Sequence, residues 1–113
     1  FLGVYHALCR ILGLTFSRMR IMARSVLYEF YSAQEGRYAD AQAPLKTWYY
    51  EVCKAQWDCP DDVKARYDVS FLENGCVVFN ILRHKYLLVA KISYPMQILY
   101  ICFVGTPQQY HQS

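Results

Sequence analysis

The sequence has few residues that break or stiffen a chain, with five glycines and four prolines in 113 residues. That scarcity excludes a collagen-like repeat and a low-complexity segment. Charged residues are also sparse, 19% against 55% hydrophobic residues, which excludes an intrinsically disordered chain. No apolar run reaches about 18 residues, so no membrane span is expected. Phosphate loops, G-x-G-x-x-G, G-x-S-x-G and H-E-x-x-H are all missing. The cysteines, Cys9, Cys53, Cys59, Cys76 and Cys102, form an odd, scattered set without C-x-x-C. A zinc site or a thioredoxin-type centre therefore has no support, and reduced thiols filling apolar volume are expected instead. His6, His84 and His111 are too far apart in sequence to argue a metal triad, so neither metal nor cofactor is expected.

What the chain does have is aromatic side chains, 17% of the total with eleven tyrosines, and an uneven distribution of charge. Residues 1–24 carry Arg10, Arg18, Arg20 and Arg24 and no acid, while residues 25–73 hold all nine acids. From Asn74 to the end there are Arg83, Lys85 and Lys91, two histidines and no acid. An acid-free C-terminal third is what a phosphate-facing surface needs, although a β-rich segment with few charges has the same composition.

The opening stretch, Phe1–Phe16, is apolar with Arg10 in its middle. A signal peptide places its charges first and a small-residue cleavage site last, and neither feature is present. Residues 1–18 are expected to be an upstream leader or an overlong gene start, with an amphipathic membrane segment as the competing reading. The domain proper is expected at 19–113. Met22, Val26 and Phe30 recur at helical spacing from Met19, and Gly36 would end that helix. A second helix is expected near Asp40, with Pro44 in its first turn and Leu45, Trp48, Val52 and Ala55 as its apolar stripe. Cys59-Pro60-Asp61-Asp62 opens a third, with proline at the first helical position and acids complementing the helix dipole.

After Arg66 the period changes to two. Tyr67–Leu72, Cys76–Leu82, Lys85–Tyr94 and Gln97–Val104 read as strands, joined at Asn74-Gly75, Arg83-His84 and Pro95-Met96. The expected fold class is α+β, with N-terminal helices packed on a four-stranded antiparallel sheet. Alternation puts Lys85, Leu87, Val89, Lys91 and Ser93 on one face of the third strand, opposite Tyr86, Leu88, Ala90 and Ile92. On the fourth strand, Tyr100, Cys102 and Val104 share a side opposite Leu99, Ile101 and Phe103. If the polar faces coincide, two lysines and a tyrosine converge, supplying cations for phosphate and a ring for stacking a single-stranded base. A solvated sheet face that merely keeps the sheet soluble has the same pattern. His84, beside Lys85, is a candidate acid or base, or else exposed polar surface.

Several runs resemble a HigB-type toxin of a bacterial toxin–antitoxin module. They are Met19–Ser25, Pro44–Tyr49, Trp57–Lys64, Val77–Ile81, His84–Ile92 and Tyr100–Thr106, in the family's order over residues 19–111. The resemblance implies a RelE-like fold and a cytoplasmic mRNA endoribonuclease acting on ribosome-bound message. In such enzymes the ribose 2′-OH attacks its own 3′ phosphate without a metal. It also implies silencing by a HigA-like helix-turn-helix antitoxin. Carried onto this sequence, Lys85, Lys91, Tyr100, Tyr110 and His111 are the catalytic candidates, and Asn80, Arg83, His84, Lys85 and Lys91 the RNA-binding ones. The sequence departs from the family at three positions. Leu87 and Cys102 stand where arginine is common, and Pro107 stands where a terminal histidine is usual. A relative that binds antitoxin or RNA without cutting is the alternative.

Overall fold

The computed structural model describes residues 19–32 and 36–112; the expected leader at 1–18 lies outside them. The fold is α+β, but its sheet has five strands and is mixed rather than four-stranded and antiparallel. The strands are β1 (Arg20–Met22), β2 (Val69–Phe71), β3 (Cys76–Ile81), β4 (Tyr86–Ser93) and β5 (Ile98–Gly105). Their spatial order is β1-β5-β4-β3-β2. Among the described residues, four α-helices accompany them: α1 (Ser25–Ser32), α2 (Gln42–Val52), α3 (Pro60–Arg66) and α4 (Pro107–Gln112). A 3-10 turn, Ala39–Ala41, leads into α2.

The expected helix from Met19 is the main correction. Its first residues are strand β1, which pairs in parallel with β5, and the helix proper spans only Ser25–Ser32. Met19 is buried, its amide donating to the Ala55 carbonyl at 3.0 Å, and the Arg20 amide donates to the Gln97 carbonyl at 2.8 Å. Ala23, at a φ of 67°, then turns the chain into α1. Three residues carry too little intrinsic preference to resist an open sheet edge that satisfies their backbone groups. The helical spacing of Val26 and Phe30 survives within α1, and both pack on the core. The helix is described to Ser32, and the stretch between it and the expected stop at Gly36 lies outside the described residues.

Several local expectations hold, although the second helix ends at Val52 and leaves Ala55 of its expected stripe beyond it. Cys59 and Cys102 are exposed rather than filling apolar volume. Pro44 falls in the first turn of α2, which buries Leu45, Trp48 and Val52. Pro60 opens α3, with Asp61 and Asp62 in its first turn and Lys64 and Arg66 in its last, as the dipole favours. The Asp62 carboxylate also accepts the Asp58 amide at 2.9 Å, satisfying a donor just outside the helix. Gly75, at a φ of 88°, closes the β2–β3 hairpin, its amide donating to the Leu72 carbonyl at 3.1 Å.

The core lies between the helices and one sheet face. Tyr86, Leu88 and Ala90 of β4 meet Leu45, Trp48 and Val52 of α2 there, with Leu27 of α1. Phe79 is the centre of an aromatic group, with Trp48, Trp57 and Tyr67 rings at 5.3, 6.3 and 5.7 Å. Such pairs add about 0.5–1.5 kcal/mol each beyond area burial.

Candidate nucleic-acid interface

The opposite, outer face of the sheet holds the residues that could meet RNA, and a β-bulge sets its composition. Val89 pairs with Phe103 and the next residue, Ala90, pairs with Ile101, leaving Cys102 unpaired on β5. An extra residue reverses alternation beyond it. Val104 therefore joins Leu99 and Ile101 in the core, and Phe103 turns outward on the same side as Tyr100. The sequence pattern had placed these two residues the other way round.

One half of the outer face is apolar and covered. Cys76, Val78 and Val89 are buried there, with Leu72, Leu87, Phe103 and Tyr110 packed on them. Tyr110 comes from α4, its ring 5.9 Å from Phe103 and 5.7 Å from the exposed ring of His111. Helix α4 is fixed at its start by a reciprocal cap. The Gln109 amide donates to Thr106 Oγ1 at 3.1 Å, and the Thr106 amide donates to Gln109 Oε1 at 2.8 Å. Pro107 occupies the first helical position, where its missing N–H costs nothing. Gly105 lets the chain turn this tightly, since a Cβ there would lie 2.6 Å from the Phe103 ring and 2.8 Å from Gln109 Oε1.

The other half is open and carries charge. Lys91 sits directly across from Tyr100 on β5 and Cys76 on β3. Lys91 is exposed, Tyr100 is 53% exposed and Cys102 is exposed at the bulge. Beyond β5, the parallel register sets Met22 against Tyr100 and Arg20 against Ile98. Both β1 side chains are exposed while Ile21 faces the core, so Arg20 belongs to this face. Sequence reading missed Arg20 because it placed that residue on a helix. The only available signal was the alternation of buried and polar residues from Met19 to Met22, too short to outweigh the helical spacing after it.

Lys85 is not part of this surface, contrary to the alternation argument. It ends the Leu82–Lys85 turn, in which Leu82, Arg83 and His84 all have left-handed φ values of 52°, 55° and 70°. Six residues of strand rise separate it from Lys91, roughly 20 Å, too far for both to hold one phosphate. Its ammonium donates instead to Asp40, which also accepts the Tyr86 hydroxyl. Lys85 and then Tyr86 hold the Asp40 carboxyl below the usual carboxylate range. Burial first, and the Asp40 carboxylate second, push Tyr86 up to about 12. Arg83 and His84 are exposed at the same end of the sheet, with His84 Nε2 3.2 Å from the Asp68 carboxylate. Asn80, half-buried, donates to the Asp68 carbonyl at 3.4 Å. Of the sequence candidates, the sheet face thus gathers Lys91 and Tyr100, with Tyr110 and His111 on the helix beside them. Lys85, Arg83, His84 and Asn80 cluster at the far end.

A cavity of about 610 Å³ lies in the helical layer, lined by Arg24, Tyr28, Tyr31, Lys46, Tyr49 and Tyr50 among others. Its two cations lie over tyrosine rings, Arg24 at 5.0 Å from the Tyr49 centroid and Lys46 at 5.9 Å from that of Tyr31. Among the described residues, no cluster of three His, Cys, Asp or Glu side chains could hold a metal ion. No helix among them is long and apolar enough to cross a membrane.

Comparison with protein families gives a match over residues 41–113 to HigB_toxin, described as the RelE-like toxic component of a toxin–antitoxin system. This chain belongs to the HigB toxin family. Comparison with the curated proteins finds no match to this chain. A toxin of this kind implies an antitoxin partner. The match covers α2, α3, α4 and strands β2–β5; β1 and α1 precede it. The three departures noted in the sequence can now be located in this HigB toxin. Leu87 packs on the covered half of the outer face, Cys102 is the bulge residue, and Pro107 begins α4.

Proposed function

We propose that this HigB toxin acts on messenger RNA through the outer face of its sheet, cleaving it by attack of a ribose 2′-OH on its own 3′ phosphate. The observation that carries the reading is the open half of that face. Lys91 and Tyr100 stand side by side across β4 and β5, and no strand from β3 to β5 contains an acid. A cation beside an exposed ring on strands that carry no acid suits a single-stranded phosphate backbone and an unstacked base. In the reaction a new bond forms between the 2′ oxygen and phosphorus, and the bond to the 5′ oxygen breaks. Lys91 offsets charge on the phosphate; His111 and Tyr110 are the groups available to accept the 2′ proton and protonate the leaving oxygen. The ribosome-bound message as substrate, the cytoplasm as compartment and a HigA-like helix-turn-helix antitoxin as partner follow from the family resemblance and belong to the same proposal.

A second reading, binding of RNA or antitoxin without cleavage, is favoured by two features. Leu87, where arginine is common in the family, lies on the apolar half of the face, and Lys85 is tied to Asp40. Loss of one charge-stabilising donor typically costs about 10²–10³ in rate. Induced expression of the chain in a bacterium, with message 5′ ends mapped, separates the two. New in-frame ends with growth arrest support the nuclease. Intact message together with RNA or antitoxin binding by the purified, folded protein supports the binder.

A further inference from the structure

The RNA-binding reading so far uses one cation, yet a strand outside the family-matched residues brings a second to the same surface. Arg20 lies on β1, which is hydrogen-bonded to β5 on the side away from β4. Two registers fix its position. Arg20 is in row with Ile98 and then Ser93; Met22 is in row with Tyr100 and then Lys91. Arg20 is therefore the diagonal neighbour of Tyr100, within reach of a long side chain. With strands about 4.8 Å apart and a two-residue offset of about 6.6 Å, the Arg20 and Lys91 backbones are roughly 12 Å apart, with the Tyr100 ring between them.

Resting on the RNA reading, we propose that Arg20, Tyr100 and Lys91 form one track across β1, β5 and β4. In it Tyr100 stacks a base of single-stranded RNA, and the two cations hold backbone phosphates on either side. The backbone of β1 is held independently of the Arg20 side chain. Met19 is buried, Ile21 packs on the core, and the Met19 and Arg20 amides are both bonded to neighbouring segments. Such a strand presents Arg20 from a backbone hydrogen-bonded to its neighbours. Arginine suits the task because its planar fork pairs with phosphate through two hydrogen bonds. Met22, 47% exposed beside Tyr100, extends the apolar platform on which a base would lie. The track also supplies positive charge on a face where Leu87 and Cys102 supply none.

The test uses the full chain and a short single-stranded RNA with 2′-O-methyl riboses, which cannot attack the phosphate and so reports binding alone. Affinity is measured against salt for the wild type, Arg20→Gln, Lys91→Gln, Tyr100→Leu and Arg20→Lys. Each lost phosphate contact on a single strand lowers the steepness of log affinity against log salt by about 0.7. Arg20→Gln and Lys91→Gln should each show that change, and Arg20→Lys should restore it. Tyr100→Leu should weaken binding roughly 5- to 150-fold with the slope unchanged, the signature of lost stacking. Matching melting curves for Arg20→Gln and the wild type exclude unfolding as the cause. An unchanged slope in Arg20→Gln, with Lys91→Gln flattened, overturns the track and leaves the RNA reading intact. No salt-dependent RNA binding by the wild type overturns both.

Discussion

Lys85 and Lys91 differ by the company each keeps. Lys91 stands exposed beside Tyr100, whereas Lys85 is bound to Asp40, which also receives the Tyr86 hydroxyl. Lys85→Ala should therefore leave RNA affinity and its salt slope unchanged, and Lys91→Ala should lower both; a titration at several salt concentrations distinguishes them. The Asp40 cluster has its own signature, in stability against pH. An unfolded tyrosine ionises near 10, and folded Tyr86 near 12, so between those values the folded state holds more protons. Stability contributed by Tyr86 is complete below about pH 10 and is lost as pH rises through about 12. Asp40 runs the opposite way: its depressed ionisation stabilises the fold above the ordinary carboxylate range and ceases to do so as acid protonates it. Thermal melts of Tyr86→Phe across the alkaline range should show a shallower decline than the wild type. Part of the decline should remain, because burial and Glu51 also raise Tyr67.

Helices α2 and α3 and the three hairpins were legible in the sequence because short-range chemistry determines them. Pro44, Pro60, the paired acids and Gly75 act on backbone within a few residues of themselves. Helix α4 was legible too, as the pattern Thr106-Pro107-Gln108-Gln109 is a cap followed by proline at the first helical position. Reading Pro107 only as a missing histidine hid it. Its role in the site is to hold Tyr110 over Phe103, and Gln109 ties it further by donating to the Tyr38 hydroxyl at 3.1 Å. Thr106→Ala should cost about 1 kcal/mol, the usual loss for an N-cap. Hydrogen exchange checks it: the Gln109 amide, which loses its Thr106 acceptor, should exchange faster while the β4 amides stay protected. The bulge at Cys102 was not legible. One unpaired residue leaves the local hydrophobic pattern intact, and only the cross-strand register reveals that Phe103 and Val104 have exchanged sides.

Across the whole molecule, the features that escaped the sequence are those joining distant segments. β1 lies in parallel on β5, and no local periodicity encodes a pairing across so much intervening chain. The buried Gln97 shows how such a junction is held. At a φ of 55° it turns into β5, and its side-chain amide donates to the Trp57 carbonyl and to the Tyr94 carbonyl. Its side-chain oxygen accepts the Trp57 amide at 3.3 Å, while its backbone carbonyl accepts the Arg20 amide at 2.8 Å. One residue thus fixes the loop before α3, the β4–β5 turn and the start of β1. Apolar burial cannot supply this, because the backbone groups of Trp57 need partners wherever water is excluded. Gln97→Ala keeps the backbone bond to Arg20 and strands the two Trp57 groups, each costing about 1–3 kcal/mol when left unpaired. The expected total is roughly 2–6 kcal/mol, read as a lower urea midpoint at unchanged m-value. Under conditions where the variant remains folded, its RNA affinity should equal that of the wild type, since Gln97 faces the interior and the track lies on the other side of the sheet. Lost affinity in a folded Gln97→Ala would mean that the junction also sets the placement of β1, and with it the reach of Arg20.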